Sequence, residues 1–358
     1  MKTRWAPWMI VVLLGAAPAA AQQVRPSRLT IDSDAAVDVT VDGNGNHVTG
    51  VFLDSLSTMD VGRGFQAMFR PQVQRLAPNA QRPNGEWNRQ IWIAEMRYER
   101  PGTVGVRIEG GYIPSPIGLA NLTLRPHLNP TIAQPASLFT SIPTLEPRGP
   151  RVTLLTGLYP LGAQATVSMR HWDARVAVMD TSPLRNRRVF SPVNPPRFTN
   201  VVVGGGVTPF VGFRVGASVT RGGWLRAGES PAITVDRSAS VVTFESELSF
   251  RHTSLAGEWT HDTFETSLGD RTAAGWYVQG AQTLAPRWFV AGRVEQLRST
   301  LPLAVPVDQT FKATEQTLGF RVTPEITLRV SHRAIERFGV NGFGHTAAAS
   351  VVWFRRWM

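Results

Sequence analysis

The sequence contains no cysteine. That excludes a disulfide framework, a thiolate zinc site, a thiol nucleophile and a lipidated N-terminal cysteine. Charge is also sparse, at 18% of residues, and lysine is almost missing once Lys2 is set aside, with Lys312 the sole remaining example. Beyond the N-terminus there is no apolar run of 18 or more residues, which excludes a bundle of membrane-spanning helices. Nor is there a G-x-S-x-G, an H-E-x-x-H or a G-x-x-x-x-G-K-[ST] segment, so the common hydrolase, metalloprotease and nucleotide-binding signatures are missing.

Glycine and proline are abundant, at 32 and 26 of 358 residues, and the formal net charge is +11. Lys2 and Arg4 precede an apolar stretch around Trp8 to Ala17, followed by Pro18-Ala19-Ala20-Ala21-Gln22. A short basic segment, an apolar core and small residues at the cleavage positions read as a secretory signal peptide over 1–21. An N-terminal lead-in over 22–34 and a single β domain over 35–358 follow.

The hydrophobic period along the chain is two. In 211–220, Val211, Phe213, Val215, Ala217 and Val219 alternate with Gly212, Arg214, Gly216, Ser218 and Thr220. The stretches 241–250, 314–322, 326–333, 164–170 and 103–112 behave likewise. Helices place apolar residues three and four apart, whereas these lie two apart, so the segments are strands. Sixteen strands are expected, near 35–42, 47–56, 63–75, 88–98, 103–112, 163–171, 174–180, 197–208, 210–221, 239–251, 255–263, 272–282, 287–297, 313–322, 325–334 and 345–354. Tight connections such as Thr208-Pro209, Ala285-Pro286 and Thr323-Pro324 alternate with longer ones near 76–87, 113–162, 181–196, 222–238, 264–271, 298–312 and 335–344. Short and long connections on opposite ends of an even number of strands predict an all-β, antiparallel, up-and-down transmembrane barrel. A segment at 151–159 reads as strand-like, but counting it would break that alternation.

The pattern as a whole resembles the bacterial outer-membrane porins, general and phosphate-selective. Locally the resemblance rests on Tyr112-Ile113-Pro114-Ser115-Pro116-Ile117-Gly118 entering the longest loop and on Gly275-Trp276-Tyr277-Val278-Gln279-Gly280. It implies a trimeric channel in the outer membrane, with the third loop folded inward as a constriction. Such barrels usually end on an aromatic residue, whereas Phe354 is followed here by Arg355-Arg356-Trp357-Met358.

Strand parity assigns Arg89, Glu95, Arg97, Arg107, Glu109, Arg170, Arg214, Glu245, Glu247, Arg321, Arg329 and Arg333 to a wet lumen, with Trp92 on the opposite face. An arginine turned to lipid near the midplane would cost about 2–4 kcal/mol, so the inside is the cheaper side. Arginines lining a pore favour anions; the same residues also serve as cross-strand braces with the glutamates. Within the loop 113–162, Arg125, His127 and Arg148 stand against Glu146, so the acidic cluster typical of the family's third loop is missing. Trp87, Tyr112 and Trp276 are expected at one membrane rim, with Tyr98, Trp172 and Trp288 at the other.

The expectation is a channel for passive diffusion of small hydrophilic solutes, weakly preferring anions, with no cofactor or metal. Outer-leaflet lipid and lipopolysaccharide would contact its loop arginines, and its spread-out charge argues against nucleic acid. Two alternatives stand beside it. One is a closed barrel whose outer loops bind a ligand or hydrolyse one, with His261-Asp262 the candidate pair; the other is a soluble secreted β protein.

Overall fold

The computed structural model describes residues 29–76, 86–142, 144, 152–155, 159–185, 197–229, 231–301, 307–340 and 342–357. The expected signal peptide, Glu146 and Arg148 lie outside these residues. Sixteen strands form one closed antiparallel barrel in which each pairs with its neighbours in sequence. They are β1 (Leu29–Asp42), β2 (His47–Gly62), β3 (Phe65–Leu76), β4 (Glu86–Arg100), β5 (Gly105–Tyr112), β6 (Leu161–Ser168), β7 (Trp172–Met179) and β8 (Asn200–Phe210), followed by β9 (Phe213–Leu225), β10 (Arg237–Phe250), β11 (Thr253–Thr266), β12 (Gly269–Ala285), β13 (Trp288–Leu301), β14 (Val307–Arg321), β15 (Ile326–Glu336) and β16 (Gly344–Trp357). Each matches one expected strand. Three boundaries differ in an informative way.

First, β1 begins at Leu29, inside the expected lead-in, because residues 31–42 pair with β16 to close the barrel. Second, the expected long connection at 264–271 is the two-residue link Ser267-Leu268 between β11 and β12. Third, β16 runs through Trp357, which pairs with Ile31. The arginines after Phe354 therefore belong to the closing ladder, and Arg356 grips Asp32 at 2.6 Å.

The outer surface is apolar along the strands: Val37, Leu53, Val176, Val203, Phe244, Val278, Val294 and Val330 are all exposed. Aromatic pairs gather where the short turns lie, with Phe65 near Tyr98 at 5.0 Å, Phe210 near Phe213 at 5.2 Å and Trp288 near Phe320 at 4.6 Å. Trp87 and Trp276, placed nearer the long loops, are exposed as well. An apolar band between aromatic rims is what a bilayer selects, because amphipathic rings favour the headgroup level. Among the described residues no helix is long and apolar enough to cross a membrane; the strands do so.

Inside, the long loop after β5 does not stay at the surface. Ile117, Leu124, Leu138, Leu154 and Leu155 are buried against inward wall residues such as Ile93, Met179, Val241 and Phe264. Val152, in the stretch expected to be strand-like, bridges to Ile142 and to Arg185, so it joins loop to loop and does not enter the barrel wall. A fully buried leucine is worth about 1.5–3 kcal/mol relative to an exposed one. Part of the space between the loop and β4–β14 is thus an apolar core, where the sequence suggested water throughout.

Candidate functional site

The loop is held by the wall, and the chemistry is backbone satisfaction. Among the described residues between Ile113 and Pro160 regular structure is limited to two four-residue helical turns and isolated bridges, so the amides and carbonyls there need partners from elsewhere. The wall supplies them as charges. Glu258 of β11 accepts hydrogen bonds from the Leu119 and Ala120 amides. Glu315 of β14 accepts from Ile132 and Ala133 at 2.9 and 3.1 Å, and Glu295 of β13 accepts from Ala136 at 2.7 Å. Arg329 of β15 donates to the carbonyls of Pro126, Asn129 and Thr131, at 3.2, 2.7 and 2.8 Å, and to Ser350. Arg293 of β13 donates to the carbonyls of Ala133 and Gln134. Charge-assisted bonds of this kind are roughly twice as strong as neutral ones.

On the β1–β3 side the loop contributes Arg125 and His127, beside Arg70 of the wall. The Arg125 guanidinium lies 3.8 Å from Asp34 and 3.7 Å from Asp54 and donates to the Asp32 carbonyl. Burial lowers the Arg125 pKa from its ordinary value, while the carboxylates of Asp54, Asp34 and Asp32 pull it upward. His127 meets Asp34 at 2.6 Å and stacks on Phe354. Arg70 clamps Asp54 at 2.6 Å and donates to the Tyr159 hydroxyl, which burial holds above the usual phenol range. Gly118 makes the seat at Glu258 feasible. Its φ of 73° is left-handed, and a Cβ there would fall 2.5 Å from a Glu258 oxygen.

Two clefts open on the short-turn side of the loop. The first, about 700 Å³, is lined by β4–β7, β9, β10 and the stretch from Pro114 to Leu119. Here Arg97 bonds Glu95 and Glu109 at 3.1 and 2.7 Å. Arg107 lies 3.4 Å from Glu109, and Arg214 holds Asp173 and Glu245 at 3.0 and 2.7 Å. Arg175 reaches Glu245 at 3.3 Å, and Glu247 completes the lining. Gly206 leaves room for Arg214, since a Cβ would fall 2.6 Å from its guanidinium. The second cleft, about 380 Å³, contains Arg251, Arg321 and Arg329 with no carboxylate in its wall. A third cavity, about 170 Å³, lies on the long-loop side between β1–β4 and the loop; Pro126 and Arg329 border it and the second cleft alike.

Of the residues that parity assigned to the lumen, Glu95, Arg97, Arg107, Glu109, Arg214, Glu245, Glu247, Arg321, Arg329 and Arg333 are placed there. Arg333 bonds Glu295 at 2.9 Å. Arg89 and Arg170 are not. The pairing of β4 with β3 skips Trp92, with Ile91 opposite Pro71 and Ile93 opposite Arg70. This bulge inverts parity before it, so Arg89 shares the outer face with Val73, while Trp92 turns inward onto Tyr159 and is 3% exposed. Arg170 lies in the exposed turn between β6 and β7. His261 and Asp262 are adjacent on β11, so they point to opposite faces, Asp262 fully buried within; they do not form a hydrolytic pair.

Sequence reasoning missed Arg70, Arg175, Glu258, Arg293 and Glu295 as inner-wall residues. All five sit on β3, β7, β11 and β13, outside the stretches whose alternation assigned the lumen residues. The same rule of two would have found them.

No family model and no curated protein matches this sequence. Solved structures do. The anion-selective porin from Comamonas acidovorans aligns over 92% of this chain and 99% of its own, with a TM-score of 0.57 at 10% identity. OmpF of Salmonella typhi, solved with daunomycin, aligns over 92% and 97% with a TM-score of 0.58 at 10% identity. OmpT, an outer-membrane protein of Vibrio cholerae solved in a trimer form, aligns over 92% and 99% with a TM-score of 0.57 at 7% identity. The chain has the fold of the bacterial outer-membrane porins, a closed sixteen-stranded barrel, here with the connection between β5 and β6 folded inward.

Proposed function

We propose that this protein is an outer-membrane channel for passive diffusion of small hydrophilic solutes, with no chemical step and a modest preference for anions. The observation that carries this reading is the inward loop flanked by polar clefts, inside a barrel whose outer face is apolar. The porin fold of the neighbours supports the channel and the outer membrane, and the trimer form of one neighbour supports a homotrimer. Charge sets the expected selectivity. The larger cleft pairs five arginines with five carboxylates and is balanced, whereas the smaller one adds three arginines without an acid. Arginine in a pore wall lowers the barrier to anions. Lipopolysaccharide phosphates are the partner proposed for the arginines near the long loops.

A second reading is favoured by the apolar core between the loop and β4–β14: a barrel held shut by its loop, with ligands bound at its outer connections. Planar-bilayer recording of the folded protein separates the two. Discrete conductance steps with a reversal potential displaced toward anions support the channel. A folded, membrane-inserted barrel without steps supports the closed form.

A further inference from the structure

We infer that the second cleft is a binding site for a small organic carboxylate, entered from the short-turn end of the barrel. This deepens the anion preference proposed above, although the site itself does not require the barrel to conduct.

The inference begins with Arg321. Every other inward arginine of the parity set is tied to a carboxylate or, for Arg329, to loop carbonyls. Arg321 has neither among the described residues; its guanidinium lies over the Phe289 ring at 5.0 Å. A ring face holds a guanidinium in place while leaving its in-plane N–H donors free for a ligand. Arg251, in the turn between β10 and β11, lines the same cleft and is placed likewise over Phe250 at 5.1 Å. Arg329 forms the inner end. It is 4% exposed, and its Nε has no hydrogen-bond partner.

The remaining charged and titratable groups of the wall are His127 and His252, and His127 is already engaged with Asp34. No acid lines the cleft, so Arg251 and Arg321 face no carboxylate there, while Arg329 is countered from behind by Asp38, Glu315 and Asp34. The neighbouring cleft shows the contrast, since each of its arginines named above faces a glutamate or aspartate there. A wall in which Arg321 and Arg251 have no counter-charge is complementary to an oxyanion, which a guanidinium fork binds through two parallel bonds.

The other half of the cleft selects among oxyanions. Leu128, Pro126 and Pro130 of the loop, with Phe289 and Val352 of the wall, form an apolar side. A fully hydrated inorganic anion gains nothing from that side. A carboxylate with a compact apolar body buries it there while its charge meets Arg321.

Titration calorimetry of the full-length, detergent-folded protein with sodium benzoate tests the site. We expect saturable binding that sodium chloride at equal ionic strength does not reproduce. Arg321→Gln weakens it about tenfold, as expected for one charge-assisted contact. Arg251→Gln, in an exposed turn, weakens it too and serves if Arg321→Gln fails to fold. Arg298→Gln, on the outer face of β13, leaves it unchanged. No saturable binding by the folded barrel, or Arg321→Gln and Arg251→Gln both binding like wild type, overturns the site. Binding of inorganic phosphate without benzoate overturns the carboxylate assignment. Calorimetry reads binding whether or not current flows. A barrel that binds benzoate without conducting therefore overturns the channel and keeps the site, and one that conducts without binding does the reverse.

Discussion

Arg293 and Glu315 stand directly opposite each other on β13 and β14, 3.2 Å apart, and they divide the loop's backbone between them. Glu315 takes the amides of Ile132 and Ala133, and Arg293 gives to the carbonyls of Ala133 and Gln134. Residue 133 is held by both. The ion pair is therefore a clamp for a segment with no ladder of its own.

Arg293→Met leaves Glu315 and Glu295 buried with reduced compensation. Removing one partner of a buried pair costs about 3–5 kcal/mol. Denaturant unfolding in detergent should show that loss, and bilayer recording should show a larger or noisier conductance as the loop is released. The double substitution Arg293→Met with Glu315→Leu should recover part of the stability, because it removes the uncompensated charge.

Gly118→Ala tests the seat at Glu258. The added Cβ meets the Glu258 carboxylate in a backbone conformation that costs a non-glycine residue about 1–2 kcal/mol. Limited proteolysis should then cut between Pro114 and Thr123 in a barrel that still migrates as folded on an unboiled gel. Resistance equal to wild type would mean that the loop has another way to rest.

Arg214→Gln probes selectivity where charges are balanced. It leaves Asp173 and Glu245 without their closest cation on that strand. One unit of charge acting across about 8 Å of water changes an ion's energy by about 0.5 kcal/mol, or roughly twofold in permeability ratio. Reversal potentials in a salt gradient should shift toward cations by that factor. Arg89→Gln, on the outer face, should leave the reversal potential unmoved.

Val330→Arg distinguishes a membrane barrel from a soluble one. Val330 is 54% exposed on the outer face of β15, between Leu328 and His332. In a bilayer an arginine at mid-depth costs about 2–4 kcal/mol; on a soluble surface it costs within about 0.5 kcal/mol. Unfolding midpoints in phospholipid vesicles should fall accordingly.

The strands were legible because a membrane wall enforces alternation more strictly than a soluble sheet does. Phe213 to Thr220 announces both its faces without reference to any partner. Arg89 shows where this stops. A single extra residue at Trp92 reverses parity, and the bulge turns Trp92 onto Tyr159, a partner 67 residues away in sequence. The role of the loop was half legible. Its length and scarcity of acids were plain, but its seating depends on Glu258, Glu295, Glu315 and Arg293, which recognise backbone amides and carbonyls that any sequence would present. Recognition of main chain leaves no trace in the segment being recognised.

The seam between β1 and β16 bears on the order of assembly. Ile31 pairs with Trp357 and Asp34 with Phe354, so the ladder that completes the ring joins residues more than 300 positions apart. Every other strand pair joins neighbours in sequence, most of them through short turns. Loop-closure entropy places the seam last in time. Until it zips, both edge strands present unpaired amides and carbonyls to lipid, an arrangement a bilayer does not tolerate. Arg356 on Asp32 and Trp357 on Ser33 then act as the fastener at the turn end of that ring. Losing them would slow closure far more than it would alter the finished wall.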